Sequence, residues 1–225
     1  MRSATVVALA VLMGALAGSA LIGRQLGARG PGAVDLAAPP APAVLRWQTL
    51  GDGQASFRAH ALRLQHLGNL GGRIVPYKDI DYDRLASWSR TLDRLDARAD
   101  VVPAMAALLY SGTQTPADLR PLVRYLADHV RRAPGRKWRW MTHAIYLARY
   151  RLENDALALR LARELRGFDT PRIPGWARHL EILVLRDIGR TQAARALVER
   201  LLREADDLAP AERRWLRFYL ERQLQ

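Results

Sequence analysis

The sequence predicts an all-α chain: an α-solenoid of helix-turn-helix repeats with a period of about 36 residues, closed by a C-terminal capping helix and preceded by one N-terminal hydrophobic helix. Three observations carry this expectation. Apolar residues of the body recur mostly at spacings of three and four, the stripe that an amphipathic helix buries. A shift of 36 lays WMTHAIYLARYRLENDALALRLAREL, starting at Trp140, on WARHLEILVLRDIGRTQAARALVERL, starting at Trp176. Proline and glycine fall where such helices begin and end.

The N-terminus comes first. After Met1-Arg2-Ser3, residues 4–23 read ATVVALAVLMGALAGSALIG, twenty residues without a charge. That length just spans a bilayer as a helix. Ala15-Leu16-Ala17 and Gly18-Ser19-Ala20 are small enough to serve instead as a signal-peptidase site. Residues 1–23 are therefore expected to be a transmembrane anchor or a signal peptide. Arg2 precedes the segment while Arg24 and Arg29 follow it, so cation placement does not fix the orientation. Gly14 and Gly18 form a spacing that permits close helix approach in a membrane. Both alternatives put the body outside the cytoplasm: a single-pass inner-membrane protein with a periplasmic body, or an exported chain after cleavage. Residues 24–51, rich in Gly, Pro and Ala, are expected to be a linker.

Residues 52–225 form the expected repeat domain. Under the shift of 36, Trp140 meets Trp176, His143 meets His179, Leu147 meets Leu183, Ala158 meets Ala194, Leu161 meets Leu197 and Leu165 meets Leu201. Ala148 with Val184, Leu152 with Ile188 and Ala162 with Val198 are conservative matches. Each matched pair is expected to share a packing role. Weaker copies run backwards as helices near 101–111 and 117–132, and before them near 54–67 and 82–97. Gly189 is suited to end one helix at positive φ, and Thr191 to cap the next. Thr115-Pro116 and Ala209-Pro210 mark helix starts. Pro121 fits only if its helix begins near Asp118. Residues 210–224 would cover the end of the stack.

These features resemble the tetratricopeptide-repeat family, a 34-residue helical hairpin with small residues where its helices cross. Ala158 and Ala194 resemble the family's small residue in the second helix, and Gly112 and Gly189 the glycine between helices. The resemblance covers residues 52–225, best in 138–202. The period of 36, and the 18-residue gap from Trp140 to Ala158, each depart from the family pattern by two residues. Membership implies recognition of a peptide or a partner helix.

Composition narrows the chemistry. There is no Cys, which removes disulfides, thiolate metal sites and a Cys nucleophile. The net charge is +13, and 33 of the 35 cations are Arg, in keeping with a GC-rich coding bias. The surplus is local: residues 119–151 carry nine cations and one anion. Within them RRAPGRKWRW, residues 131–140, brackets an expected break at Pro134-Gly135. Its tryptophans read as core, since Trp138 and Met141 begin a stripe continued by Ile145, Ala148 and Leu152. What remains is a candidate anionic-partner patch of Arg120, Arg124, Arg131, Arg132, Arg136, Lys137 and Arg139.

Catalytic and metal motifs are missing. No HExxH, nucleophile elbow or nucleotide fingerprint occurs. Asp79-Ile80-Asp81-Tyr82-Asp83 imitates a calcium loop but has Arg84 and Arg90 where Gly and Glu are needed, so these acids read as a helix N-terminus. The irregular stretch 69–78 makes Arg73, Tyr77, Lys78 and the following Tyr82 a candidate binding loop. No catalytic residue, cofactor or metal ligand is assigned. The expected function is a non-enzymatic interaction scaffold or assembly factor of the bacterial cell envelope, with another protein as partner and the membrane held through residues 4–23. The alternative is an electrostatic binder of anionic lipid, envelope polymer or nucleic acid through residues 119–151, with nucleic acid disfavoured by the export segment.

Overall fold

The computed structural model describes residues 10–19, 36–70, 73–204 and 208–223. Two units separate at Asp35, residues 1–35 and residues 36–225. In the first, residues 10–19 are helical, with Val11, Leu12, Met13 and Leu16 all more than half exposed. The flanks of the expected anchor, 4–9 and 20–23, and residues 24–35 lie outside the described residues. Among the described residues no helix is long and apolar enough to cross a membrane.

In the second unit the described residues form helices joined by turns, apart from a two-residue antiparallel ladder. Helix α1, Pro42–Trp47, starts on a proline whose missing N–H costs nothing at that position. A turn through Thr49–Asp52 leads to α2, Gly53–Gln65, where the Asp52 carboxylate accepts from Gln54 N at 2.8 Å and Ala55 N at 3.0 Å. Strands β1, Asn69–Leu70, and β2, Arg73–Ile74, pair next. Helix α3, Tyr82–Leu95, is capped by Asp81 on Arg84 N at 2.9 Å, the role its acidic run suggested. Helix α4, Val101–Ala104, widens into a π turn at Met105–Leu109 and ends in a 3-10 turn at Tyr110–Gly112.

A 3-10 turn beginning at Pro116 leads into α5, Leu119–Arg131, so Pro121 sits in the first turn, where no intrahelical donor is needed. Helix α6, Pro134–Tyr146, runs on through a second π turn at Leu147–Arg151. Helix α7 spans Asp155–Gly167 and is capped by Asn154. The short α8, Gly175–Arg178, is followed by α9, Leu180–Asp187, then α10, Thr191–Glu204, and α11, Pro210–Gln223. Consecutive helices pack on one another, and α3 meets α5 while α7 meets α9. Leu92, Leu122, Leu126, Met141, Ala158 and Leu165 are fully buried between them, each large side chain contributing about 1.5–3 kcal/mol.

Several expectations shift. The linker ends earlier than residue 51, since Leu36 and Leu45 are buried. Trp88 Nε1 donates to Ala37 O at 2.8 Å, and Ser56 Oγ to Leu45 O at 2.9 Å. Gly/Pro/Ala composition suggests a tether but is blind to carbonyls that distant donors satisfy. The break in RRAPGRKWRW lies at Ala133, with φ of −158°, and Pro134-Gly135 already belong to α6. Thr191 is the first residue of its helix instead of the cap.

The offset of 36 holds in the second helices and fails in the first. Helices α7 and α10 start 36 residues apart, each two residues after a left-handed residue, Glu153 at φ +50° and Gly189 at φ +76°. Ala158 and Ala194, Leu161 and Leu197, and Ala162 and Val198 are buried alike. Trp140 and Trp176 are not: the first is 5% exposed and donates to Asp100 Oδ1 at 2.9 Å, the second is 56% exposed. The reason is that α6 is continuous whereas its counterpart breaks at His179 between α8 and α9. His143 stays half-buried against the Trp140 ring, while His179 is buried against a different element.

Arginines stitch neighbouring elements. Arg151 sends both terminal nitrogens to the carbonyls of Ser111, at 2.7 Å, and Thr113, at 2.8 Å. Arg149 donates to Asp187 O at 2.9 Å, and Arg178 gathers the carbonyls of Arg166, Phe168, Thr170 and Ile173.

Candidate functional site

The basic run does not form one open face. Arg131 grips Glu164 with two nitrogens, at 2.6 and 2.7 Å, and Asp128 at 2.7 Å; the Glu164 hydrogen bond outweighs burial and raises its pKa further. Arg132 reaches Asp93 at 2.8 Å, and Arg139 lies 3.7 Å from Asp100. Lys137 is 2% exposed, and burial lowers its ammonium pKa. Arg120, Arg124 and Arg136 are exposed and have no acidic partner among the described residues. Apart from Asp128, the acids that neutralise the run are distant in sequence, Glu164 33 residues and Asp93 39 residues from their arginines, which a count by segment cannot register.

Asp93, on α3, is the centre of a buried cluster that ties α3 to α5 and its C-cap. Its side chain is 1% exposed and accepts from Tyr125 OH at 3.1 Å, pairs with His129 Nδ1 at 2.7 Å, and receives Arg132. Burial, first, and the nearby Asp93 charge push the Tyr125 phenol well above its ordinary pKa. An Asp–His–Tyr set suggests catalysis by composition, but His129 is 0% exposed and its Nε2 has no partner. A substrate has no path to a proton held there, so the cluster serves to register α3 against α5.

A second acid–imidazole pair closes the C-terminal end. His179 Nε2 lies 2.6 Å from Glu212 Oε1 at the first turn of α11, and Trp215 stacks on the imidazole with ring centres 5.5 Å apart. Burial lowers the His179 pKa, and the Glu212 charge only partly opposes it. The Glu212 carboxylate rests on Gly175, where a Cβ would stand 2.7 Å from it.

The loop residues separate. Tyr82 is buried and donates to Tyr110 O at 2.9 Å, and burial pushes its phenol up to about 12. Tyr77 packs its ring on Tyr110 at 5.6 Å and lines a cleft of about 430 Å³ with Gln65, His66 and Val75, while Lys78 is exposed beside it. The Arg73 side chain lies outside the described residues.

What sequence reasoning missed is a groove between α6 and α9, about 310 Å³ in volume, lined by Thr142, Tyr146, Tyr150, Leu180 and Leu183 among others. Tyr146 and Tyr150 are each 52% exposed, with ring centres 5.3 Å apart. Their spacing of four puts them on one side of the helix, a signal legible once the buried stripe is projected out. Asp187 forms the floor, taking Tyr150 OH at 2.7 Å and Arg186 Nη2 at 2.7 Å. Burial raises its carboxyl pKa, but these two donors outweigh that and hold it below the usual carboxylate range. The arrangement offers aromatic faces, an apolar wall and a fixed charge pair, which suits an extended polypeptide. Among the described residues no cluster of His and acids could hold a metal ion. Compared with known protein families, curated proteins and solved structures, the chain matches none.

Proposed function

We propose that the chain is a non-enzymatic interaction scaffold or assembly factor of the bacterial cell envelope, tethered or exported by residues 1–23. In this reading its helical body is a solenoid of the tetratricopeptide type, and its partner is another protein. The observation that carries the reading is the α6/α9 groove. It presents half-exposed Tyr146 and Tyr150 beside Leu180 and Leu183, while the Asp93–His129 pair is packed away from solvent. The failure of the repeat at Trp176 weighs against a regular array and leaves the matched second helices as its structural support.

The test is a photo-crosslinking residue placed at Tyr146 in the full chain in intact cells, with Arg160, exposed on α7, as control position. A discrete protein adduct at 146 and none at 160 is the expected result. Adducts at neither site would remove the reading. The electrostatic alternative has in its favour three exposed arginines without an acidic partner among the described residues, Arg120, Arg124 and Arg136. It requires binding to an anionic surface that falls steeply with salt.

A further inference from the structure

A cleft of about 440 Å³ lies on α1 and the turn after it, lined by Ala43, Arg46, Trp47, Leu50 and Gly51. Helix α1 buries one residue, Leu45, and turns Val44, Trp47 and then Leu50 outward, at 48%, 81% and 96% exposure. Leu50 is held there against its own preference. Its φ is +53°, in the left-handed region that a branched side chain disfavours. The turn around it is over-determined: Thr49 N and Gly51 N both donate to Arg46 O, Leu50 N donates to Trp47 O, and Thr49 Oγ1 binds Asp52 O at 2.7 Å. A rigid turn that displays a strained, fully exposed leucine beside an exposed tryptophan calls for an apolar counterpart.

We propose that α1 and the turn 48–51 are a foot that rests in the interface of a phospholipid bilayer, with Trp47 and Leu50 inserted among the upper acyl chains and Arg46 at the headgroups. Two features select lipid over a second copy or a protein. Trp beside Arg on an apolar projection is the composition of the membrane–water boundary. Arg46 lines the projection with its cation, and the adjacent acid, Asp52, is committed to capping α2. Chain length keeps the surface near, since Gly23 to Leu36 reaches about 45 Å at most. The foot rests on the tethered reading of residues 1–23.

The chain has no cysteine, so single-site labelling is direct. Full-length Leu50→Cys and Arg160→Cys are each labelled with an environment-sensitive fluorophore and reconstituted in phosphatidylcholine–phosphatidylglycerol vesicles containing brominated lipid. Flotation reports the tether and quenching reports the foot. The expected result is co-flotation with several-fold stronger quenching at 50 than at 160, reduced several-fold by adding Trp47→Ser. Co-flotation with equal quenching at the two sites overturns the foot and leaves the tether standing. A chain that does not float overturns the tether and the foot with it. Both labelled positions are exposed, and matching helical circular dichroism confirms that the variants are folded.

Discussion

Replacing Asp93 with alanine removes the acceptor that α3 offers to Tyr125 and His129 of α5 and to Arg132 at its C-cap. Tyr125 and His129 are each 0% exposed, so the Tyr125 hydroxyl and the His129 Nδ1 lose their partner with no water to replace it. Each stranded donor costs about 1–3 kcal/mol. Arg132 adds little, because its side chain is 41% exposed and can turn to solvent. Together the loss is about 3–5 kcal/mol, the range for breaking a buried pair from one side. Against a total of about 5–15 kcal/mol this would leave the body marginal. In thermal unfolding followed by far-ultraviolet circular dichroism, the midpoint should drop by about 6–20 °C. The urea midpoint should move while its slope stays fixed. The double variant Asp93→Ala, His129→Ala should lose less than the two single losses added. A loss for Asp93→Ala below about 1 kcal/mol would refute the cluster's role. So would an Arg132→Ala variant as unstable as Asp93→Ala.

Three further outcomes follow from other sites. Burial lowers the folded-state pKa of His179, so its contribution is present above about pH 6.5 and is lost as pH falls; in urea titrations the acid-side loss should be smaller in His179→Gln, and an identical loss would contradict this sign. Gly175→Ala should displace the Glu212 carboxylate and cost about 1 kcal/mol, and should cost nothing further in a Glu212→Ala background. Leu50→Gly removes a left-handed leucine and should raise the urea-derived stability by up to about 1 kcal/mol. A clear loss there would mean that Leu50 makes native contacts.

The parts of the fold that could be read from the sequence are those set by local chemistry. Pro116 and Pro210 start helical turns, Asp81 caps α3, Gly189 adopts positive φ, and residues 210–223 form the terminal helix, burying Leu216 and Tyr219. What was illegible depends on distance or on a broken period. Glu164, Asp93 and Asp100, which pair with Arg131, Arg132 and Arg139, are distant in sequence, so a local charge count gave a patch where ion pairs stand. Trp176 matched Trp140 letter for letter, but sequence identity does not reveal that one helix is interrupted at His179. The π turns at Met105–Leu109 and Leu147–Arg151 each add a residue to a turn and carry the following side chains round the axis. Of the site, Tyr77 and Lys78 were expected in an irregular loop, and Tyr77 lines a cleft there, whereas nothing in the local pattern pointed to the α6/α9 groove or the cleft on α1.

The guanidinium bridges to carbonyl oxygens give the chain's alkalinity a second meaning. Arg151 satisfies two acceptors at once, and Arg178 gathers four, the carbonyls of Arg166, Phe168, Thr170 and Ile173. A lysine in either place keeps the isoelectric point but offers a single ammonium on a flexible stem. Drift between the two cations, harmless on most surfaces, is therefore barred here. A homopolymer-like bias toward arginine becomes a structural dependency, in which mortar between helices and dye-binding, electrophoretic charge are the same atoms.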